Sequence, residues 1–152
     1  MYDYKNDPIG QLCLNLAECS KSDMKFGSVL VKDGIVLGKG WNRLSTAEER
    51  RVLTHVDYAV HAEQGAIIEA ICSQIDISGS EIYVLGRNKN KQLTTVDTKL
   101  FTCKRCAVSL VKLNISVNIP YVEGWLNLTP TEAYQSACNS HGYWTEFRSR
   151  KT

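Results

Sequence analysis

The stretch Val60-His61-Ala62-Glu63-Gln64 opens a run of small and aliphatic residues that predicts a helix reaching about Ile75. The apolar positions of this run recur at the spacing of one helix face, and they are Ala62, Ala66, Ile67, Ala70 and Ile71. Because most of these side chains are small, this face can come close to a neighbouring layer. We therefore expect the helix to pack directly on a sheet.

The spacing of His61 and Glu63 restricts where this helix can begin. Residues two apart point about 200° apart around a regular helix. Both side chains can face one site only if His61 lies before the first helical turn. The sequence therefore predicts a helix that begins immediately after His61, with Glu63 in its first turn.

A second stretch, Thr102-Cys103-Lys104-Arg105-Cys106, begins another predicted helix, from Cys103 to Leu113. Thr102 is a good N-cap residue, and Cys103 and Cys106 are three apart, so they share one face of the first turn. The positive end of the helix favours their thiolate forms. The residues expected to face the core are Ala107, Leu110 and Val111.

Together the two stretches supply the ligands of a zinc site. One histidine and two cysteine thiolates suit tetrahedral zinc, with the fourth position left for water. A carboxylate next to the histidine is placed to move protons on and off that water. We therefore predict a Zn²⁺ site with His61, Cys103 and Cys106 as ligands and Glu63 as the catalytic acid and base.

Other interpretations of these residues remain open. The Cys-x-x-His pair at 138–141 could close a structural zinc site with the two cysteines, although the gap between the pairs exceeds the roughly 12 to 20 residues of zinc ribbons. That site would leave Glu63 without a role. A cysteine nucleophile assisted by His61 is a further alternative. His55 is expected in a solvated loop, and the cysteines expected in the core are Cys13, Cys19 and Cys72.

The first third of the chain reads as a helix followed by a hairpin. Pro8 suits the first turn of an apolar helix that ends near residue 20. Residues 26–32 and 35–41 form two strand patterns around Asp33-Gly34, a hairpin turn signal. The charged residues 43–58 show no sustained period, and we expect a loop there.

The second half alternates strands and helices. Residues 81–85 and 115–119 read as buried strands, the second of them stopped by Pro120. Thr129-Pro130-Thr131-Glu132 is a capping box for a last helix at about 130–139. The complete order predicts an α/β protein, a three-layer α/β/α sandwich with a mixed sheet of about five strands.

Composition sets outer bounds on the class of protein. With 152 residues and 43% hydrophobic content, the chain fits a single domain over residues 1–152. The net charge of +2 predicts no general affinity for nucleic acids or membranes. The N-terminus opens with charge and no window approaches 18 uncharged apolar residues, so we expect no signal peptide and no membrane span. Six cysteines without an export signal predict free thiols in a reducing cytoplasm.

His61-x-Glu63 followed by Cys103-x-x-Cys106 resembles the signature of the cytidine and deoxycytidylate deaminase superfamily. The resemblance extends to Gly27–Val31 and Gly40–Asn42 and covers roughly residues 8 to 120. It implies His61, Cys103 and Cys106 as zinc ligands and Glu63 as proton shuttle. It also implies that Asn42 contacts the substrate sugar and that the Ala62 backbone touches the base. The family proline before the first cysteine is Thr102 here, and residues 86–99 lengthen the link between the motifs.

This resemblance implies zinc-dependent hydrolytic deamination of a cytosine nucleotide, such as dCMP or CMP, to the uracil nucleotide with release of ammonia. One alternative is a base deaminase acting on tRNA or single-stranded nucleic acid, and another acts on a free purine or pterin-like base. From a different class, the alternative is a non-catalytic module that zinc stabilises. Glu63 separates enzyme from module, because a structural site needs no free acid.

Two surface features suggest partners. The segment Arg87–Lys112 is rich in lysine and contains the helix N-terminus at Cys103, which favours an anion, so we expect a phosphate-bearing substrate with Lys104 among its contacts. The alternative is a solvated loop without a ligand. The superfamily's small members usually assemble, and a homo-oligomer is expected. The aromatic residues that could serve it, or could cover the core edge instead, are Tyr121, Trp125, Tyr143 and Trp144.

Overall fold

The computed structural model of the chain describes residues 1–52, 59–95 and 104–136. Its central feature is a mixed five-stranded sheet in the order β2-β1-β5-β6-β7, in which β5 and β6 are parallel and the other neighbours antiparallel. A separate two-stranded sheet pairs β3 with β4. The strands are β1 (Lys25–Lys32), β2 (Ile35–Trp41), β3 (Arg43–Leu44), β4 (Ala59–Val60), β5 (Glu81–Arg87), β6 (Ser116–Tyr121) and β7 (Gly124–Leu128).

Helices cover both faces of the sheet. They are α1 (Pro8–Ala17), α2 (Ala47–Val52), α3 (Ala62–Cys72), α4 (Lys104–Leu113) and α5 (130–136). One core cluster joins α1 to the sheet through Cys13, Val29 and Leu85. The other lies on the opposite face, beneath α3 and α4. The predicted three-layer α/β/α fold with a mixed sheet is therefore confirmed. Within the described ranges, no helix has the length and apolar character needed to cross a membrane.

The β1–β2 hairpin turns where the sequence predicts it. Asp33 and Gly34 both have positive φ, 52° and 77°, which is the conformation of a type I′ turn. At the N-terminus of α1, the Asp7 carboxylate accepts a hydrogen bond from the Gly10 N–H at 2.9 Å. Pro8 occupies the first turn, as predicted.

Helix α3 lies directly on β2 because two glycines of the strand leave room for it. A Cβ at Gly38 would come within 2.1 Å of the Ala66 carbonyl oxygen, and one at Gly40 within 2.3 Å of the Ala62 carbonyl oxygen. The small face of the helix thus packs backbone to backbone on the strand. This confirms the close approach that the run of small residues predicts.

The expected loop at 43–58 is wrong in the part that the structure describes. Residues 43–44 and 59–60 pair as β3 and β4, and Ala47–Val52 is helical. Thr46 caps this helix: its Oγ1 accepts from the Glu49 N–H at 3.1 Å, and the Glu49 carboxylate accepts from the Thr46 N–H at 2.9 Å. The expected position of His55 lies outside the described residues.

Several smaller expectations need correction. Pro120 does not stop β6, because the pairing of β6 with β5 already ends at Asn118 and no donor is needed from Pro120. Ile71 and Val111 are exposed, at 47% and 44%, because each lies at the margin of its helix's buried stripe. Of the cysteines expected in the core, Cys13 is buried, whereas Cys19 and Cys72 are exposed. Helix α3 ends at Cys72, short of Ile75.

Alkaline pH is expected to destabilise the protein through groups beneath α1. Burial raises the pKa of the Cys13 thiol from 9.0 to about 12 and that of Tyr4 from 10.0 to about 12. Because the fold favours the neutral forms, their contribution is intact below about pH 9 and is lost as pH rises toward 12. Melting temperatures measured between pH 8 and 11 should fall, and Cys13→Ala should flatten the decline. An identical slope in that variant would contradict the role of Cys13.

Candidate functional site

His61 lies where the sequence predicts it, immediately before α3. Its backbone is extended, with φ −72° and ψ 157°, and it is the N-cap residue of the helix. The His61 N–H donates to Oε1 of Gln64 at 2.9 Å, and its carbonyl accepts from the Gly65 N–H at 3.0 Å. The imidazole therefore leaves the chain from a non-helical residue whose backbone is fixed on the helix side.

Glu63 is the second residue of α3 and is half-buried. The helix begins at Ala62, which is buried with its carbonyl over Gly40. Because His61 is extended rather than helical, the 200° separation of a continuous helix does not apply to this pair. The geometrical condition under which His61 and Glu63 can face one site is therefore met.

Helices α3 and α4 begin at the same edge of the sheet. Helix α4 connects the parallel strands β5 and β6, so it runs antiparallel to both and begins where β5 ends. Helix α3 begins over Gly40 near the end of β2, and two antiparallel pairings in the order β2-β1-β5 place that end beside the end of β5. Since both helices pack on one face, their first turns share an edge.

The cysteine half of the predicted site is only partly described. Lys104 and Cys106 lie in the first turn of α4, whereas Cys103 and Thr102 lie outside the described residues, as does the competing pair at 138–141. Considering the described segments alone, no group of three or more metal-binding side chains is assembled. The ligand set therefore stays a prediction.

Asn42 directly follows β2 at this same edge. Its Oδ1 accepts from the Phe26 N–H at 2.8 Å, and its Nδ2 donates to the Met24 carbonyl at 2.8 Å. The amide thus ties the end of β2 to the start of β1. Asn42 therefore has a structural role, which the resemblance does not imply, besides the expected contact with the substrate sugar.

The lengthened link after β5 begins as a tight hairpin. Leu93 bridges back to Arg87, and the Thr94 N–H donates to the Gly86 carbonyl at 2.9 Å. At the tip, Oδ1 of Asn88 accepts from the N–H groups of residues 90 and 92 at 2.9 and 3.1 Å. This turn exposes the two lysines of the tip, Lys89 and Lys91.

Sequence reasoning missed three contacts near this site. Gln64 caps the His61 N–H, and its place three residues after His61 is the signal that could have found it. The Thr46-x-x-Glu49 capping box was likewise present in the charged stretch. The pairing of Arg43 with Glu49 has no local signal.

Comparisons with known proteins agree with this architecture. The family described as the cytidine and deoxycytidylate deaminase zinc-binding region matches residues 5–121. A dCMP deaminase from the cyanophage S-TIM5, solved in complex with dCMP and dUMP, is 21% identical over 77% of this chain and 81% of that chain, with a TM-score of 0.53. Cytidine deaminase from Burkholderia pseudomallei is 17% identical over 81% and 94%, also with a TM-score of 0.53. Among curated proteins, none matches the sequence.

The two solved structures support the fold, and the sequence match supports the family. The matched residues run from before α1 to the end of β6, so they include the His61 motif, the Cys103-x-x-Cys106 motif and four of the five strands of the sheet. The chain belongs to the cytidine and deoxycytidylate deaminase zinc-binding family.

Proposed function

We propose that this protein is a zinc-dependent hydrolase that deaminates a cytosine nucleotide of the dCMP or CMP type, releasing ammonia and the uracil nucleotide. The observation that carries the proposal is the placement of His61 at an extended N-cap, with Glu63 in the first turn that follows. Family membership supports deamination in general. The dCMP and dUMP bound by the cyanophage dCMP deaminase suggest the nucleotide.

The donor set of this chain fits zinc. A neutral imidazole and two thiolates are the soft ligands that zinc prefers, and three protein ligands leave one position open. His61 is the N-cap residue of α3, Cys106 lies in the first turn of α4 at the same sheet edge, and Cys103 immediately precedes α4 in the sequence. His61, Cys103 and Cys106 would hold the ion. When bound, zinc supplies Lewis-acid activation of water at neutral pH.

In the proposed reaction, Glu63 carries the protons. It accepts one from the attacking water, delivers one to the ring nitrogen, and assists the departure of the amine as ammonia. The Ala62 backbone orients the base, Asn42 contacts the sugar, and Lys104 contributes to phosphate binding.

The ligand assignment predicts different outcomes for different cysteines. Cys103→Ser or Cys106→Ser should remove zinc and activity together, because a hydroxyl is a poor substitute for a thiolate ligand. Cys138→Ser is the matched control and should leave about one zinc per chain, as measured by atomic absorption. Loss of zinc from Cys138→Ser would instead support the closed structural site.

The lysines of the hairpin tip predict a preference for a phosphate-bearing substrate. Neutralising Lys89, Lys91 and Lys104 together should raise KM for the nucleotide by about tenfold or more and leave the rate on the nucleoside unchanged. Lys112→Ala is the control, because Lys112 is exposed at the opposite end of α4. If the unmodified protein prefers the nucleoside or free base, the lysines have no ligand.

A substrate panel separates this proposal from its alternatives. Zinc-loaded protein is offered cytosine nucleosides, mono- and triphosphates, purine and pterin bases, and an RNA stem-loop, and ammonia release is measured. A polynucleotide substrate would be favoured if the protein deaminated the RNA and bound it more weakly at higher salt. On single strands, the plot of log binding constant against log salt concentration should have a slope of about −0.7 per phosphate contact. If none of these compounds releases ammonia, the non-catalytic module that zinc stabilises would be favoured.

Further aspects of the proposal concern organisation and environment. We propose a single catalytic domain over residues 1–152 that assembles as a homo-oligomer. Trp125 packs edge-on against Tyr4 and Tyr83, at centroid distances of 4.9 and 5.1 Å, so this ring at least covers the edge of the core.

Cys13, Cys19 and Cys72 are free thiols. Thiolate ligands and free thiols suit a reducing cytoplasm.

A further inference from the structure

Two elements hold His61, α3 after it and the strand β4 before it. Of the two, β4 has the fewer contacts of its own. After His61, α3 packs on β2 and fixes the chain. Before it, two residue pairs join β4 to β3 within the part of the chain that the structure describes, Arg43 with Val60 and Leu44 with Ala59. An isolated two-stranded ribbon is marginally stable even when longer. The buried side chain of Val60 holds β4 against the core, so it is β3, with Arg43 half-buried and Leu44 exposed, that needs support from outside the ribbon.

The ion pair of Arg43 with Glu49 supplies that support. Both terminal guanidinium nitrogens of Arg43 donate to the Glu49 carboxylate at 2.7 Å, one to each oxygen. The same carboxylate accepts the Thr46 N–H at 2.9 Å. The two side chains are only 29% and 14% exposed, so water screens the pair less than an ordinary surface pair. A bidentate contact also fixes orientation as well as distance.

The ion pair joins α2 to β3, and β3 in turn pairs with β4. Arg43 is the β3 residue that pairs with Val60, and Val60 immediately precedes His61. Glu49 belongs to the first turn of α2, where it completes the capping box with Thr46. The ion pair thus restrains the residue that pairs with Val60, and Val60 is one residue from the proposed zinc ligand.

We propose that Arg43 and Glu49 are positioning residues that hold His61 in register for zinc, an inference that rests on the proposed function. They act through the β3–β4 ribbon and touch neither metal nor substrate. Their loss should increase the rate at which the protein releases zinc, by an amount at or below the roughly 10- to 100-fold in metal affinity that partners bonded directly to a ligand contribute.

A second ion pair on the same helix is a matched control. Arg51 contacts Glu48 at 2.6 Å, with both side chains about 70% exposed. It shares α2 with Glu49, but within the described residues this ion pair includes no strand residue. If Glu49 only stabilised α2, removing either pair would have a similar small effect. If Glu49 positions His61, only Glu49→Gln should affect the metal.

The experiment measures zinc transfer from the loaded protein to a chromogenic chelator, with the melting temperature recorded for every variant. Glu49→Gln is expected to release zinc about tenfold faster than the unmodified protein, and Glu48→Gln at an unchanged rate. Equal release from Glu49→Gln and the unmodified protein would overturn the inference while leaving the deaminase proposal intact. An unmodified protein that binds no zinc would defeat the proposed function itself.

The reversed pair keeps the test decisive if a single variant folds poorly. Arg43→Glu combined with Glu49→Arg restores opposite charges, although it removes the Glu49 cap of Thr46. The double variant is expected to release zinc more slowly than Arg43→Glu alone. Release that is no slower in the double variant would contradict an effect of the ion pair. The conservative variant Arg43→Lys keeps the charge but loses the bidentate geometry. Its rate of zinc release should fall between that of the unmodified protein and that of Arg43→Glu.

Discussion

Glu63→Ala is expected to lower kcat by roughly 10²- to 10⁴-fold while the protein retains its zinc. In the proposed mechanism this carboxylate is the group that takes a proton from water and returns protons to the substrate. It is not a zinc ligand, so removing it should not release the metal. The measurement pairs single-turnover kinetics on the nucleotide with zinc content by atomic absorption.

Glu63→Gln provides the control for size and polarity. It keeps the volume of the side chain but cannot exchange a proton, and its kcat should fall as far as that of Glu63→Ala. Substrate affinity, measured with the uracil nucleotide product, should change much less than kcat. Turnover at the normal rate in either variant would contradict the role of Glu63 as acid and base. Loss of zinc from either variant would indicate that Glu63 is a zinc ligand.

Gly40→Ala is expected to destabilise the protein strongly, although it changes neither charge nor hydrogen-bonding groups. The new Cβ would lie 2.3 Å from the Ala62 carbonyl oxygen and 2.4 Å from the Ala66 nitrogen. Both are backbone atoms of α3, so the helix itself must move. Overpacking of this kind costs about 1–3 kcal/mol of unfolding free energy, occasionally more. Denaturant unfolding measures the loss.

The shift of α3 also has a functional consequence. Because Ala62 follows His61 and precedes Glu63, lifting this turn from the strand displaces the proposed ligand and the proposed acid together. Lys39→Ala is the control, since Lys39 is exposed on the same strand and should change stability by less than about 0.5 kcal/mol. Equal stability of Gly40→Ala and the unmodified protein would show that α3 does not pack backbone to backbone on β2.

Local geometry explains what could be predicted from the sequence. The spacing of His61 and Glu63 allows a common site only if the helix begins between them, and the structure begins α3 at Ala62. Asp33-Gly34 specifies its turn because both residues tolerate positive φ. The capping box at Thr129 forms as predicted, with reciprocal hydrogen bonds to Glu132 of 3.1 Å each. Each of these signals lies within a few neighbouring residues.

Elements that depend on distant partners could not be predicted in the same way. The strand β3 has two residues, and only its pairing with β4, across α2, makes it a strand. Helix α2 has six residues and no apolar face to create a period. Helical periodicity likewise locates the centre of a buried face but not its width. Ile71, beside the buried Ala70, therefore proved exposed.

For the candidate site, the sequence supplied the residue types and the fold supplied their arrangement. The parallel pairing of β5 with β6 brings the start of α4 to the edge where α3 begins. Nothing in either motif alone predicts that edge. The support for His61 also came only from the structure, since the Arg43–Glu49 contact depends on β3 and α2 being in place.

The most direct test of the deaminase proposal is to measure both products on one sample. Protein loaded with about one zinc per chain is incubated with dCMP, and ammonia and dUMP are quantified over time. We expect the two to form in equal amounts and to stop forming when zinc is removed by a chelator. Fully zinc-loaded protein that forms neither ammonia nor uracil nucleotide from dCMP or CMP would contradict the account.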